Sequence, residues 1–288
     1  MLPVMSINKN LGITAVVLTY NEEDNIKNCL AHLAWADHIV IVDSGSTDKT
    51  LDYAKSFGCN IYSTPWLGFA AQRNWALDNT GITTEWVIFI DADEEVPPNL
   101  RVEICEALKS VSCNAFYLCY KVMLFGKWVK RSANFPVWHP RIVRFGKARF
   151  IEAITGHGET WDVEGNIGYI KSPCIHYSFS KGLGFWFEKH NRLSAMECTA
   201  YLTKKISLIE TLGGLFSGDK HKRRQAFRGL SYQLPLRPFF RFLHQFILKG
   251  GILDGPAGWI YCSLYFTYEI MISTKIREQK YLSKIYND

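Results

Sequence analysis

Short apolar runs alternate with amphipathic stretches through the first third of the chain, and the alternation dictates an order of elements. Thr14 to Thr19 is apolar at nearly every inner position, the pattern of a strand buried on both faces. Asn21, just beyond it, is placed to cap a helix running to about Leu33. Ile39 to Val42 makes a second strand that ends at Asp43, and Ser44-Gly45-Ser46-Thr47-Asp48 turns the chain into a helix of roughly Thr50 to Phe57. Ile61-Tyr62 form a short third strand, Gly68 to Asn79 a third helix and Trp86 to Ile90 the central strand; Val87 to Ile90 has neither the length nor the spacing of an amphipathic helix. Such an alternation predicts a parallel α/β sheet with right-handed crossovers. Its strand ends bring Asn21-Glu22, Asp43 and Asp91-Ala92-Asp93 to one edge, where open α/β sheets bind their ligands.

The chemistry of that edge is acidic. Asp carries a short, stiff carboxylate, and hard cations such as Mg²⁺ or Mn²⁺ take oxygen ligands while leaving positions open for substrate phosphates. Asp91 and Asp93 at a strand end are therefore candidate ligands for a divalent cation held against a diphosphate.

Four segments then occur in order: Val17-Leu18-Thr19-Tyr20-Asn21-Glu22-Glu23, Val40 through Thr50, Gln72-Arg73-Asn74 and Asp91-Ala92-Asp93-Glu94. Together they resemble the nucleotide-sugar-binding half of a family 2 glycosyltransferase with the GT-A fold, over about residues 12–125. Phe135-Pro136 through Arg144, Gly156-His157-Gly158-Glu159 and Ile175-His176-Tyr177-Ser178 are similar to the bacterial branch that includes lipopolysaccharide core glucosyltransferases. The resemblance implies a Rossmann-like α/β fold, a mixed and mainly parallel sheet flanked by helices. It implies a donor pocket of Thr19, Tyr20, Asn21, Glu22, Asp43, Ser44, Arg73, Asp91 and Ala92, in which Asp43 meets a uracil-like edge and Arg73 the diphosphate. Asn21 as a plain cap, Asp43 as a strand terminator and Arg73 as a solvated helix residue are the competing readings.

An inverting displacement needs a base for the acceptor hydroxyl. Glu159 is the first candidate, with Asp162 or His157 as alternatives. His176 is a possible third metal ligand or diphosphate contact, or else a structural hydrogen-bonder. Trp138, His139 and Arg141 read as acceptor-side loop residues.

Composition adds the tail. The 288 residues, 48% hydrophobic, suffice for a catalytic domain over 1–180 (donor part about 12–125, acceptor part about 126–180) and a helical appendage over 181–288. The net charge of +6 is unevenly placed: residues 1–170 hold 15 Lys+Arg against 19 Asp+Glu, residues 171–288 hold 18 against 8. The tail also carries the run Lys220 to Arg224. Phe239, Phe242, Leu243, Phe246 and Ile247 then share one helical face, opposite Arg241, Gln245 and Lys249. After Gly250-Gly251, the 17 residues Ala257 to Ser273 are apolar except for Glu269 and sit at the lower limit for spanning a bilayer. A basic amphipathic tail suits the surface of an anionic membrane; packing as a subdomain or a homo-oligomer interface is the alternative. Nucleic acid is disfavoured because no binding motif accompanies the basic run. Eight cysteines without Cys-x-x-Cys spacing indicate free thiols, and no signal segment opens the chain, which points to a cytoplasmic protein, peripheral on the inner face of the cell membrane.

The reading is a metal-dependent inverting enzyme using Mg²⁺ or Mn²⁺. It moves a hexose from a nucleotide sugar, a UDP-sugar by expectation, to a lipid-linked saccharide of a bacterial surface glycan. A nucleotidyltransferase making nucleotide sugars is disfavoured by the lack of a Gly-rich, basic phosphate loop after the first strand. A non-catalytic nucleotide-sugar-binding membrane scaffold is disfavoured by Asp91, Asp93 and a candidate base.

Overall fold

The computed structural model describes residues 11–109, 112–153, 158–203, 231–232, 234 and 236–285. His157 and the basic run 220–224 lie outside the described residues. The chain divides into two compact units: Met1–Trp128, Phe135–Ala153 and Gly158–Lys181 form the first, and Val129–Asn134, Ile154–His157 and Gly182–Asp288 the second.

In the first unit β1 (Ile13–Thr19), β2 (His38–Asp43), β3 (Asn60–Ser63) and β4 (Trp86–Asp91) are parallel, in the order β3-β2-β1-β4. Helices α1 (Ile26–Ala31), α2 (Thr50–Ser56) and α3 (Phe69–Asn79) connect them. Side chains alternate across the sheet with the two-residue period of a strand. Ala15 and Val17 join Ile88, Ile90 and Leu30 in one core, while Val16 joins Val87, Phe89 and Ala76 in the other. Burial on both faces is why these strands read as unbroken apolar runs.

The chain continues through β5 (Glu94–Glu95), α4 (Pro98–Ala107), β6 (Cys113–Leu124), β7 (Lys127–Trp128) and β8 (Trp138–Arg144). An antiparallel hairpin of β9 (Ala148–Glu152) and β10 (Glu159–Val163) follows, then β11 (Asn166–Tyr169) and β12 (Cys174–His176). Strand β8 lies antiparallel between β4 and β6, and β12 pairs parallel to β6 and antiparallel to β5. The result is the mixed, mainly parallel sheet flanked by helices that the GT-A resemblance implies.

Two local expectations are corrected. Asn21 does not cap α1: it sits at φ +53°, and the helix begins only at Ile26, after a turn in which the amides of Asn25 and Ile26 both donate to the Glu22 carbonyl (3.0 and 2.9 Å). Trp138, His139 and Arg141 are not loop residues but lie on β8, inside the sheet.

The second unit contains α5 (Gly182–Thr203), α6 (Arg237–Leu243) and α7 (Gly255–Ile285), with a π-helical turn at His244–Leu248 and a 3₁₀ turn at Gly251–Asp254 between the last two. The π turn inserts an extra residue into the helical repeat and breaks the expected single apolar face. Phe242 and Phe246 turn inward onto Trp259 (5.6 and 5.4 Å between ring centres), whereas Phe239 and Ile247 face solvent. The chain reverses where expected, at Gly250, whose φ of +74° suits a residue without a Cβ. Glu269, the charge inside the apolar stretch, is buried against Arg237 (2.9 Å) and Arg241 (3.0 Å). No described helix is long and apolar enough to cross a membrane. All eight cysteines are free.

Candidate active site

The sheet register sets the site. Thr19 at the end of β1 lies opposite Asp43 at the end of β2, and Leu18 opposite Asp91 at the end of β4. The loops leaving β1 and β2 are stitched together: the Asn21 amide donates to Ser46 Oγ (2.8 Å), the Thr47 amide to Asn21 Oδ1 (2.8 Å) and the Glu22 amide to Thr50 Oγ1 (2.7 Å). Ser44 is held by Gln72, whose Nε2 donates to its hydroxyl (3.1 Å).

Asp43 organises this knot. Its carboxylate is 1% exposed and accepts four bonds, from Thr19 Oγ1 (2.8 Å), the Gly45 and Ser46 amides (2.9 and 2.8 Å) and Ser46 Oγ (2.5 Å). A carboxylate has about four lone-pair sites, so none is left for the base edge that the sequence reading assigned to it. Tyr20 is more than half exposed above the same loops and presents an aromatic face.

Lys181 reaches these loops from far along the chain. Its Nζ donates to the Asn21 carbonyl and to Glu22 Oε1, both at 2.6 Å. Burial raises the Glu22 carboxyl above its ordinary value, against the opposing pull of Lys181. Sequence reasoning missed this lysine. The only signal for it was its place three residues past the Tyr177-Ser178 motif.

Beneath the loops lies a box of two buried arginines and three carboxylates, of which Glu94 and Glu159 are buried and Asp91 keeps 37% of its side chain exposed. Arg73, on α3, and Arg141, on β8, are 2% and 4% exposed. Asp91 gives one oxygen to each, 3.1 Å from Arg73 Nη2 and 2.8 Å from Arg141 Nη2. Glu159 Oε1 also contacts both, at 2.7 Å from Arg141 Nη1 and 3.3 Å from Arg73 Nη2. Glu94 Oε1 meets Arg141 Nη2 at 3.3 Å and Glu94 Oε2 accepts from the Asp91 amide at 3.0 Å; Arg141 Nε donates to the Tyr120 hydroxyl.

Protonation follows from the count of charges. Burial alone would raise Asp91, but Arg141 and then Arg73 outweigh it and hold the carboxyl below its ordinary value. Glu94 is pushed up to about 7 by burial and by Asp91, with Arg141 opposing. The box therefore changes its proton content near neutrality. On the neighbouring strand position, burial and then Arg141 drive the His139 imidazole down to about 3, so it is neutral, and its ring packs edge-on against Tyr120 (4.9 Å).

The box revises several sequence expectations. Asp91 has one oxygen on each guanidinium group while its side chain stays 37% exposed. Arg73 and Arg141 are interior scaffolding and not exposed contacts for diphosphate or acceptor. Glu159, the first candidate base, has its side chain buried and ion-paired to both arginines. Asp162 is exposed three residues further along β10, opposite Arg149.

Asp93 differs from its neighbour two residues back. Its Oδ2 lies 3.2 Å from His176 Nε2, and both side chains are partly solvent-exposed. The pairing of β12 with β5, His176 opposite Glu94, sets them side by side, and the Tyr177 amide donates to the Asp93 carbonyl (2.9 Å). Asp93 lines a cleft of about 450 Å³ together with Asp24, Asn28, Phe125, Tyr177 and Phe179. No three His, Cys, Asp or Glu side chains among the described residues converge as a complete metal cage. One carboxylate and one imidazole fit a Mg²⁺ or Mn²⁺ ion that draws its remaining ligands from substrate phosphates and water.

Residues 14–159 match the model of glycosyl transferase family 2. The chain belongs to that family. Among its family 2 relatives, a glycosyltransferase of Rickettsia conorii is 33% identical over 294 residues, covering 96% of this chain and 95% of that one. One of Rickettsia bellii is 36% identical over 113 residues, and there the match spans only 37% of the relative's length and 39% of this chain. The lipopolysaccharide core biosynthesis glycosyltransferase LpsC of Rhizobium meliloti is 26% identical over 280 residues, 93% of each chain. The family match ends at Glu159, so Lys181 and His176, which complete the site described above, come from beyond it.

Proposed function

We propose that this family 2 chain transfers a hexose from a nucleotide sugar, a UDP-sugar in our reading, to a lipid-linked saccharide in the assembly of a bacterial surface glycan of the lipopolysaccharide core type. In that reading it works at the cytoplasmic face of the inner membrane. The observation that carries the transferase reading is the Asp93–His176 pair, whose Asp93 lines a cleft walled by Asp24 and Asn25, just past the loop residues Tyr20, Asn21 and Glu22 in sequence. The likeness to LpsC over 93% of both chains supports the acceptor class.

Asp93 and His176 would hold Mg²⁺ or Mn²⁺, which when bound offsets the charge that develops on the leaving diphosphate. Tyr20 stacks on the base. Lys181 offers an ammonium beside the donor loops, where a diphosphate brings new negative charge. The acceptor oxygen attacks the anomeric carbon as its bond to the diphosphate oxygen breaks; the nucleoside diphosphate leaves with the bonding pair. The hydroxyl proton goes to a cleft carboxylate. Of the ionisable groups lining the cleft, Asp93 serves the metal, Glu94 is sealed below and Tyr177 titrates at about 12, which leaves Asp24.

The test is a panel of nucleotide sugars, each scored for thermal stabilisation with and without Mn²⁺, since a ligand of the folded state raises apparent stability. A UDP-sugar should stabilise the protein in a metal-dependent way, and Asp93→Asn should abolish the metal dependence. A panel in which no nucleotide sugar shifts the transition sinks the reading. Asp24→Asn should keep the stabilisation and lower transfer by about two orders of magnitude, the usual worth of a general base.

A further inference from the structure

In the second unit, nine large apolar side chains that face solvent fall between Leu234 and Trp259. Leu248 and Leu253, 78% and 69% exposed, are the most exposed large apolar side chains among the described residues, and both sit where α6 and its π turn reverse into α7. Ile247 and Ile252 flank them, each 56% exposed. The reversal is therefore a helical hairpin with an apolar tip.

The tip is built and not frayed. Its inner side is pinned by polar bonds: Asp254 Oδ2 accepts from the amides of Arg131 and Ser132 (2.9 and 2.7 Å), Ser132 Oγ donates to the Gly251 carbonyl (3.3 Å) and Gln245 Nε2 to the Ser132 carbonyl. Helix α7 approaches the turn so closely that a Cβ on Gly258 would stand 2.2 Å from the Gly251 carbonyl oxygen. A turn fixed this firmly from within, yet holding four aliphatic side chains in water, has its outer surface shaped for something apolar.

Charge identifies the occupant. No Asp or Glu occurs from Ser231 to Leu253, while Lys249 at the tip and Arg241 on α6 are exposed. Asp254, the first acid, is engaged inward. Apolar groups beside the exposed Lys249, in a stretch without acids where Arg241 is paired to the buried Glu269, complement a surface whose interior is hydrocarbon and whose face is anionic. Trp259, 54% exposed in the first turns of α7, is an indole of the kind that sits among headgroups when an apolar tip reaches the acyl boundary. Lys249, exposed at the tip, has the long cationic side chain that can return its ammonium to phosphates at the surface.

We infer that the hairpin tip Ile247–Leu253 is a membrane-docking element that inserts shallowly into an anionic lipid surface. It replaces the Phe239–Ile247 face read from the sequence, two of whose members point inward. The inference deepens the membrane part of the function proposed above and rests on it only for the purpose docking serves.

The full-length protein should sediment with vesicles of phosphatidylglycerol and phosphatidylethanolamine at low salt. The double variant Leu248→Glu/Leu253→Glu should bind them about tenfold or more weakly, with an unchanged thermal transition because both side chains are exposed. Equal binding by the variant overturns the assignment, as does wild-type protein that fails to sediment. A concentration-dependent dimer abolished by the variant, without vesicle binding, overturns it in favour of a second copy on the same face. UDP-dependent thermal stabilisation, measured in parallel on both proteins without lipid, reports on the proposed function separately, since neither leucine belongs to the donor site.

Discussion

Asp91 and Asp93 are the same residue type, two positions apart on the same strand exit, and they meet different partners. Asp91, 37% exposed, gives one oxygen to each of two buried guanidinium groups, whereas Asp93, 20% exposed, lines the cleft and pairs with one imidazole. The difference comes from the partners that the rest of the chain brings. Arg73 arrives on α3 and Arg141 on β8 to take the two oxygens of one carboxylate; the short pairing of β12 with β5 brings an imidazole to the other. An acidic motif at a strand end thus divides between guanidinium and imidazole partners.

The largest break in that contrast is Arg141→Met. It leaves the buried Glu94 without its guanidinium and the buried Glu159 with Arg73 alone, and removing one partner of a buried ion pair costs about 3–5 kcal/mol. The protein should lose most of its stability in a denaturant titration; a midpoint within error of wild type means that the box does not hold the fold.

Next in size is the paired comparison of the two aspartates. Asp93→Asn should lower transfer at least about a hundredfold, roughly 3 kcal/mol in the barrier, with a thermal midpoint close to wild type. Asp91→Asn should lower the midpoint markedly while the folded fraction keeps Mn²⁺-dependent donor binding. Reversal of these two phenotypes would exchange the roles.

The third test uses protons. Glu94 has its carboxyl raised from 4.5 to about 7 in the folded state, so between those values the folded protein binds more protons than the unfolded chain. By linkage its contribution is fully present below about 4.5 and is lost as pH rises through 7. Stability should therefore fall by about 2–3 kcal/mol from this group between pH 5 and pH 8. Asp91 adds no slope in that window, because its depressed value confines its contribution to lower pH. Glu94→Gln should flatten the profile between pH 5 and 8, which urea midpoints across that range will show.

The smallest effect is expected at Lys181. Lys181→Met should weaken donor binding about tenfold, seen mainly in KM, while Lys181→Arg should restore part of it. Unchanged KM in both variants would make the lysine a loop fastener only.

The alignment of the donor edge was legible before any coordinates, because parallel strands with two buried faces leave unbroken apolar runs and their ends must coincide. Which acid pairs with arginine was not legible: its partners come from positions 73 and 141, and nothing in local spacing reports a contact across 50 residues. Glu159 shows the same limit. Its place in Gly156-His157-Gly158-Glu159 made it the first candidate base, yet β10 delivers it onto two arginines. Asn21 was read as a cap since caps and left-handed linkers favour the same residue. In the tail, one π turn sufficed to divide a face that regular 3.6-residue spacing draws as continuous.

The excursion Val129–Asn134 belongs to the second unit although it leaves β7 and returns to β8 of the first. Its Arg131 and Ser132 amides are the partners of Asp254. Recombination that exchanges tails among relatives at a single junction near Lys181 therefore separates Asp254 from its donors and leaves a buried-side carboxylate facing a foreign loop. The heritable module in this molecule is discontinuous, and a working chimera has to import the short segment before β8 together with everything after Lys181.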